Sequence, residues 1–169
     1  AEGNYKKATK YFEETIFLNP ESAPALNNLG NIYKNTHDYK KALKYYIKAL
    51  KYMPESAIIL TNIGLIYKHL ANWREAINYY SKAIIVDPNY YEAYYNLGIA
   101  YYNLDRYEDA ISSLSYAIKL NPDFEHAKSF LTFLKIEVCD WNNLPNYDPK
   151  MDSPIFSVSR YDNSKINLN

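Results

Sequence analysis

Leu26-Asn27-Asn28-Leu29-Gly30-Asn31-Ile32-Tyr33 decides the fold, because the stretch returns twice. It recurs as Leu60-Thr61-Asn62-Ile63-Gly64-Leu65-Ile66-Tyr67 and again as Tyr94-Tyr95-Asn96-Leu97-Gly98-Ile99-Ala100-Tyr101. The glycines stand at 30, 64 and 98, a constant step of 34 residues. Other positions keep the same phase: Ala42, Ala76 and Ala110; Tyr46, Tyr80 and Leu114; Ala49, Ala83 and Ala117; Pro54, Pro88 and Pro122. A fixed period of roughly 20–50 residues signals a stacked array of identical small units.

Each repeated residue type has a physical reason. Leu26, Leu29 and Tyr33 fall at i, i+3 and i+7, one stripe of a helix. Glycine inside a helix costs about 1 kcal/mol relative to alanine, so three of them need a compensating gain. Close approach of a second helix supplies it, with the alanines of that helix completing the contact. Proline cannot continue a helix and biases the residue before it away from helical dihedrals. Asn19-Pro20, Met53-Pro54, Asp87-Pro88 and Asn121-Pro122 are therefore read as turns between units. The spacing predicts helices over 5–18, 23–36, 39–52, 57–70, 73–86, 91–104, 107–120 and 125–138.

This pattern resembles the tetratricopeptide repeat (TPR), a 34-residue helix–turn–helix. The resemblance implies an all-α, right-handed α-solenoid. Its array spans 1–141: a half-repeat over 1–22, three full repeats over 23–56, 57–90 and 91–124, and a capping helix over 125–138. In the half-repeat, Tyr5, Ala8, Phe12 and Pro20 match the second helix of a unit, so the chain reads as a piece of a longer array. Thr132 and Lys135 replace the glycine and tyrosine in the last helix, as befits a cap. Residues 142–169, with Pro145, Pro149 and Pro154 among Asn, Asp and Ser, read as an extended tail without a core of its own. Within it Ile155-Phe156-Ser157-Val158-Ser159 is either a docking strand or part of a loose end.

Composition narrows the function. Of 169 residues, 48% are hydrophobic, enough for a buried core. Lys+Arg and Asp+Glu both number 19, so the formal charge is zero, which argues against nucleic acid and against an anionic membrane surface. The single cysteine, Cys139, precludes an internal disulfide and fits a reducing compartment, cytoplasmic or nuclear. No catalytic constellation, cofactor loop or metal-ligand spacing is present: His37, His69 and His126 share no spacing, and the four glycines are scattered. The chain is read as a non-enzyme that needs no cofactor.

A binding face remains. In a TPR array the first helices line the concave side. Between their core positions lie Pro24, Ile58 and Glu92; Asn27, Thr61 and Tyr95; Asn28, Asn62 and Asn96; Asn31, Leu65 and Ile99; and, further along, Lys34, Lys68 and Tyr102 with Asn35, His69 and Asn103. Only Asn28, Asn62 and Asn96 are identical in all three units. Asparagine is a mediocre helix former, and its amide both donates and accepts. Such a row either grips the backbone of an extended peptide from a protein partner or pins neighbouring helices together. Tyr95, Ile99 and Tyr102 would add apolar contact.

Two further resemblances bear on the partner. TPR proteins that clamp chaperone C-termini carry basic residues on their first helices, whereas the third unit here offers Glu92 and Asn96; chaperone-tail binding is disfavoured. Ile136-Glu137-Val138-Cys139-Asp140-Trp141, directly after the array, resembles the junction between the TPRs and the catalytic region of protein O-GlcNAc transferases. That family carries an asparagine ladder on its concave face, which Asn28, Asn62 and Asn96 match; Phe130 departs from it in the last helix. The resemblance implies a non-catalytic, substrate-recruiting part of a glycosyltransferase. The alternatives are a TPR adaptor of a multiprotein complex, such as a co-chaperone or cell-division scaffold, and a homodimer through Tyr45, Tyr79, Tyr80 and Tyr116.

Overall fold

The computed structural model describes residues 2–138, with side chains from Tyr5 onward. Cys139, Asp140, Trp141 and the tail expected over 142–169 lie outside the described residues. Eight helices follow one another: α1 (Glu2–Leu18), α2 (Ala23–Asn35), α3 (Tyr39–Tyr52), α4 (Ala57–His69), α5 (Trp73–Val86), α6 (Tyr91–Tyr102), α7 (Tyr107–Leu120) and α8 (Glu125–Glu137). Among the described residues there is no strand. The helix ends match the periodic reading closely. Met53, Asp87 and Asn121, each before a proline, leave the helix with φ −132°, −132° and −133°. The proline ring excludes helical dihedrals at that position, so α3, α5 and α7 stop there.

The turn inside each unit also repeats. His37, Ala71 and Asp105, again 34 apart, hold φ of 61°, 54° and 56°. The N–H of the next residue (Asp38, Asn72, Arg106) donates to the carbonyl of Tyr33, Tyr67 or Tyr101 at 2.9–3.0 Å, closing the first helix with a left-handed cap. Asp38 and Asn72 then start the second helix by accepting from the N–H of Lys41 and Glu75. Arg106 stands in their place in the third unit and offers no such cap; its guanidinium pairs with Asp109 instead.

Packing within a unit is set at the glycine. A Cβ on Gly30 would lie 2.5 Å from the Tyr46 ring, one on Gly64 2.5 Å from the Tyr80 ring, and one on Gly98 2.8 Å from Leu114. The missing side chain is thus replaced by a ring, or by leucine, from sixteen residues further on. Of the alanines expected to complete the contact, Ala110 does so, its carbonyl oxygen 3.3 Å from the Cβ position of Gly98. Ala49 and Ala83 belong to clusters that reach the next unit, the first with Ile59 and the second with Ala57, Leu60 and Ala93. Tyr46, Tyr80 and Leu114 are all fully buried.

A second layer of tyrosines lies beside the first. Tyr33 stacks on Tyr45 at 5.4 Å and Tyr67 on Tyr79 at 5.5 Å, with Lys41 and Lys82 each 5.0 Å from a ring centre. In the third unit Ser113 replaces the second ring, and the Arg106 guanidinium covers Tyr101 at 4.4 Å. Of the tyrosines read as a dimer face, Tyr45, Tyr79, Tyr80 and Tyr116, the structure removes Tyr80 from the surface. Tyr80 is inside, Tyr45 and Tyr79 are half-buried in their stacks, and Tyr116 is 45% exposed.

Successive units share one core, since α3 packs on α4, α5 on α6 and α7 on α8. Helix α2 also packs on α4, and α4 on α6, whereas no comparable contact joins α3 to α5 or α5 to α7. The first helices therefore sit closer together than the second ones, on the inner side of the stack. Ala127 and Leu134 of α8 are fully buried against the last unit, while Phe133 and Ile136 stay 38% and 46% exposed.

The two buried tyrosines differ in one bond. Tyr46 donates its hydroxyl to Asn31 Oδ1 at 2.7 Å, but Leu65 stands at the equivalent place beside Tyr80, whose hydroxyl is buried without a partner. Tyr46→Phe is expected to cost about 1 kcal/mol in urea denaturation, whereas Tyr80→Phe costs nothing or stabilises. Ala71→Gly should stabilise by about 1 kcal/mol in the same measurement, because alanine is strained in the left-handed region. Burial pushes the phenols of Tyr46 and Tyr80 well up and that of Tyr90 to about 12, from a usual 10.0. A raised folded-state pKa gives stability that is complete below the unfolded value and lost above it. Stability followed by circular dichroism should therefore hold up to pH 10 and fall between 10 and 12.

Candidate functional site

The inner face is built from α2, α4 and α6, whose core stripes point the other way. The three repeated asparagines hold equivalent positions but different partners. Asn28 is half-buried and makes no side-chain hydrogen bond among the described residues. Asn62 donates through Nδ2 to Asn27 Oδ1 on the preceding first helix at 3.0 Å. Asn96 is only 8% exposed, donates to its own helix at Glu92 O (2.8 Å), and accepts from Lys68 Nζ at 3.3 Å. The neighbour explains the difference. Asn62 meets Asn27, whereas the residue facing Asn96 from the equivalent place on α4 is Thr61, whose hydroxyl is itself buried without a partner. The amides therefore do not form a uniform ladder, and Asn96 is drawn into packing.

The remaining candidates divide in the same way. Asn31 accepts from Tyr46 and belongs to the core of its unit. Asn103 donates to Ile99 O at 2.8 Å and caps the end of its own helix. Tyr95 meets the edge of Phe124 at 4.9 Å, and Tyr102 meets Phe130 at 5.4 Å and Phe133 at 6.0 Å. Both tyrosines, like Ile99, are half-buried, so part of each side chain still faces outward. Asn27, Asn28 and Asn62 are the amides that the face presents together.

A second group on this face drew no role from the sequence beyond its position. Lys34 and Lys68, 34 residues apart, occupy the last turns of α2 and α4 and are half-buried. Burial lowers the Lys34 ammonium, and burial followed by repulsion from Lys34 lowers that of Lys68. His69 stacks on Tyr39 at 5.1 Å; burial, then Lys68, Lys34 and His37, push its imidazole down. The missed signal was that α2 and α4 contain no acidic residue at all.

No group of three His, Cys, Asp or Glu side chains that could hold a metal occurs among the described residues, and no helix there is long and apolar enough to cross a membrane. What the face offers is hydrogen bonding, apolar contact and positive charge, spread along an open surface.

Helix hairpins stacked at a constant step, with their first helices inside, define a helical-repeat solenoid. Family comparison gives the class its name. Residues 21–84 and 91–124 match models described as tetratricopeptide repeat, and 72–105 one described as TPR repeat. Together they span 21–124, more than half of the 169 residues, and the chain belongs to the tetratricopeptide-repeat family. Solved structures agree. MamA from Desulfovibrio magneticus RS-1 (residues 41 to the end) is 23% identical with a TM-score of 0.73, covering 82% of this chain and 78% of that one. The first TPR of Spaghetti (RPAP3), bound to the HSP90 peptide SRMEEVD, is 24% identical with a TM-score of 0.67, covering 69% and 93%. The Arabidopsis OM64 TPR domain is 25% identical with a TM-score of 0.67, covering 69% and 97%. No curated protein sequence matches the chain.

The bond between Asn27 and Asn62 joins two units directly. A double-mutant cycle with Asn27→Ala and Asn62→Ala, read by urea denaturation, should return a coupling of about 0.5–1.5 kcal/mol.

Proposed function

We propose that this chain is a docking scaffold that holds an extended segment of a partner protein along α2, α4 and α6. Asn28 carries the reading. It is a half-buried amide on the inner face, in a helix where it brings no propensity, and among the described residues no group bonds to its side chain. Asn62 keeps its Oδ1 open beside it after donating to Asn27. Two such amides, one helix apart, suit the N–H and C=O groups of an extended backbone. The half-buried faces of Tyr95, Ile99 and Tyr102 supply apolar contact further along. That a protein of the same fold, RPAP3, is seen with a bound peptide supports the ligand class and says nothing of its sequence.

The narrower form of the proposal is the substrate-recruiting region of a protein O-GlcNAc transferase. It rests on Asn28 and Asn62 and on the sequence Ile136–Trp141, of which Cys139–Trp141 lie outside the described residues. Against it stand Phe130 and the packing role of Asn96. The parent gene downstream of Asn169 separates this form from an adaptor of a multiprotein complex. A cytoplasmic or nuclear setting belongs to the same proposal, on the strength of the single cysteine.

Peptides selected from a random library and titrated by fluorescence anisotropy test the docking role. Asn28→Ala should weaken them about 2- to 13-fold, the equivalent of one neutral hydrogen bond, while the melting temperature stays within a few degrees. Unchanged affinity would remove Asn28 from the site, and loss of folding would assign it to packing.

A further inference from the structure

We propose that the outer face of α3 docks on an anionic lipid bilayer, with Lys40, Lys44, Lys48 and Lys51 among the headgroups and Ile47 reaching beneath them. The surface belongs to a second helix, on the outer side of the array, and is independent of the docking role of the inner face.

The chain is neutral as a whole, which argues against an anionic surface only where the charge is evenly spread. It is not. Helices α1, α5 and α7 each mix acidic and basic residues, whereas α3 carries five lysines and no carboxylate. Lys41 pairs with Asp38 at 3.0 Å. The other four are exposed and make no ion pair among the described residues. Lys40, Lys44 and Lys48 follow at steps of four and Lys51 three further on, so all four share one face of the helix.

The helix itself does not call for such a face. Like charges three and four residues apart repel, and Lys40 stands in the first turn, where the helix dipole favours an acid. Solubility is served as well by mixed signs, as on the other second helices. Ile47 lies in the middle of the lysine face and is 50% exposed, and Tyr52 and Met53 stand exposed at the end of the helix. Large apolar side chains also stand out at the ends of the flanking second helices, Phe17 at 85% and Ile85 at 79% exposure. The carboxylates of that edge are Glu14, paired with Lys10 at 3.9 Å, and Glu21, Glu55 and Asp87 in the turns that follow the helices. Lysines interleaved with apolar tips suit a bilayer, whose anionic headgroups lie above hydrocarbon. A nucleic-acid strand would call for open rings to stack on, but Tyr45 is stacked on Tyr33 and Tyr46 is buried. An acidic peptide would call for a groove, whereas α3 is a ridge that packs on α2 and α4 beneath it and makes no comparable contact with α5 beside it.

Co-sedimentation of the full chain with vesicles tests this, using phosphatidylcholine alone and equal parts phosphatidylcholine and phosphatidylserine. The chain should bind the mixed vesicles and not the neutral ones, and should be released as sodium chloride is raised. Lys44→Gln/Lys48→Gln should weaken binding about tenfold or more. Lys119→Gln/Lys128→Gln removes the same charge from α7 and α8 and should leave binding within about twofold. Ile47→Ser should weaken it a few-fold at every salt concentration. Glutamine matches lysine in helix propensity, and circular dichroism confirms the fold of each variant. Absence of binding to the mixed vesicles, equal binding to the neutral ones, or equal loss in the two double variants would each overturn the α3 face as a bilayer site. An unaffected Ile47→Ser would overturn its insertion. Tighter binding of poly-glutamate or of a DNA oligonucleotide than of the mixed vesicles, lost in Lys44→Gln/Lys48→Gln, would assign the face to an acidic protein or to nucleic acid and overturn the bilayer.

Discussion

The approach of a tyrosine ring to a glycine backbone is the constraint on which this array depends. With 2.5 Å between the Cβ position of Gly30 and the Tyr46 ring, no other residue fits at 30 without moving the ring. The ring is fully buried, and α2 and α3 close over it. That closure sets how the two helices of a unit lie against each other. The unit's outer apolar faces then meet the next unit, and the array propagates. A glycine that weakens an isolated helix by about 1 kcal/mol is tolerated because the packing it permits buries a whole aromatic side chain.

The units are not equivalent, and the differences form a series. In the first, Tyr46 beneath Gly30 finds Asn31; in the second, Tyr80 beneath Gly64 finds Leu65 and loses its partner; in the third, Leu114 and Ile99 remove the polar atoms altogether. A buried hydroxyl stabilises modestly when paired, costs when orphaned, and is absent at no cost when both partners turn apolar. The second unit is the midpoint of that exchange. The outer tyrosine layer changes in the same direction, with Ser113 in place of a stacked ring and its hydroxyl bonded to Asp109 O.

Function is separated from this core by the geometry of the helices. The stripe that packs cannot also face a ligand, so the inner face is free to carry amides and charge. It carries them unevenly: open amides towards α2 and α4, aromatic edges towards α6 and α8, and two half-buried lysines between. In the proposed docking role, a peptide crossing it would meet these chemistries in order.

The 34-residue step was legible because helix ends and core positions depend on short-range causes: proline excludes a helical neighbour, glycine marks close approach, and a stripe needs its period. The sequence by itself therefore determined eight helices, their pairing and the core stripe of the first helices, but not that Tyr80 packs beneath Gly64. It did not reveal the left-handed turns at His37, Ala71 and Asp105, since none is glycine. Nor did it reveal what each repeated asparagine does. Asn28, Asn62 and Asn96 look identical along the chain, yet one is open, one bridges to Asn27 and one is buried against Lys68 and its own helix. Only the tertiary structure decided that. A side-chain amide bonds to whatever lies within about 3 Å of it, and on this face the partners that distinguish Asn62 from Asn96 come from the first helix of the preceding unit, 28 to 35 residues away.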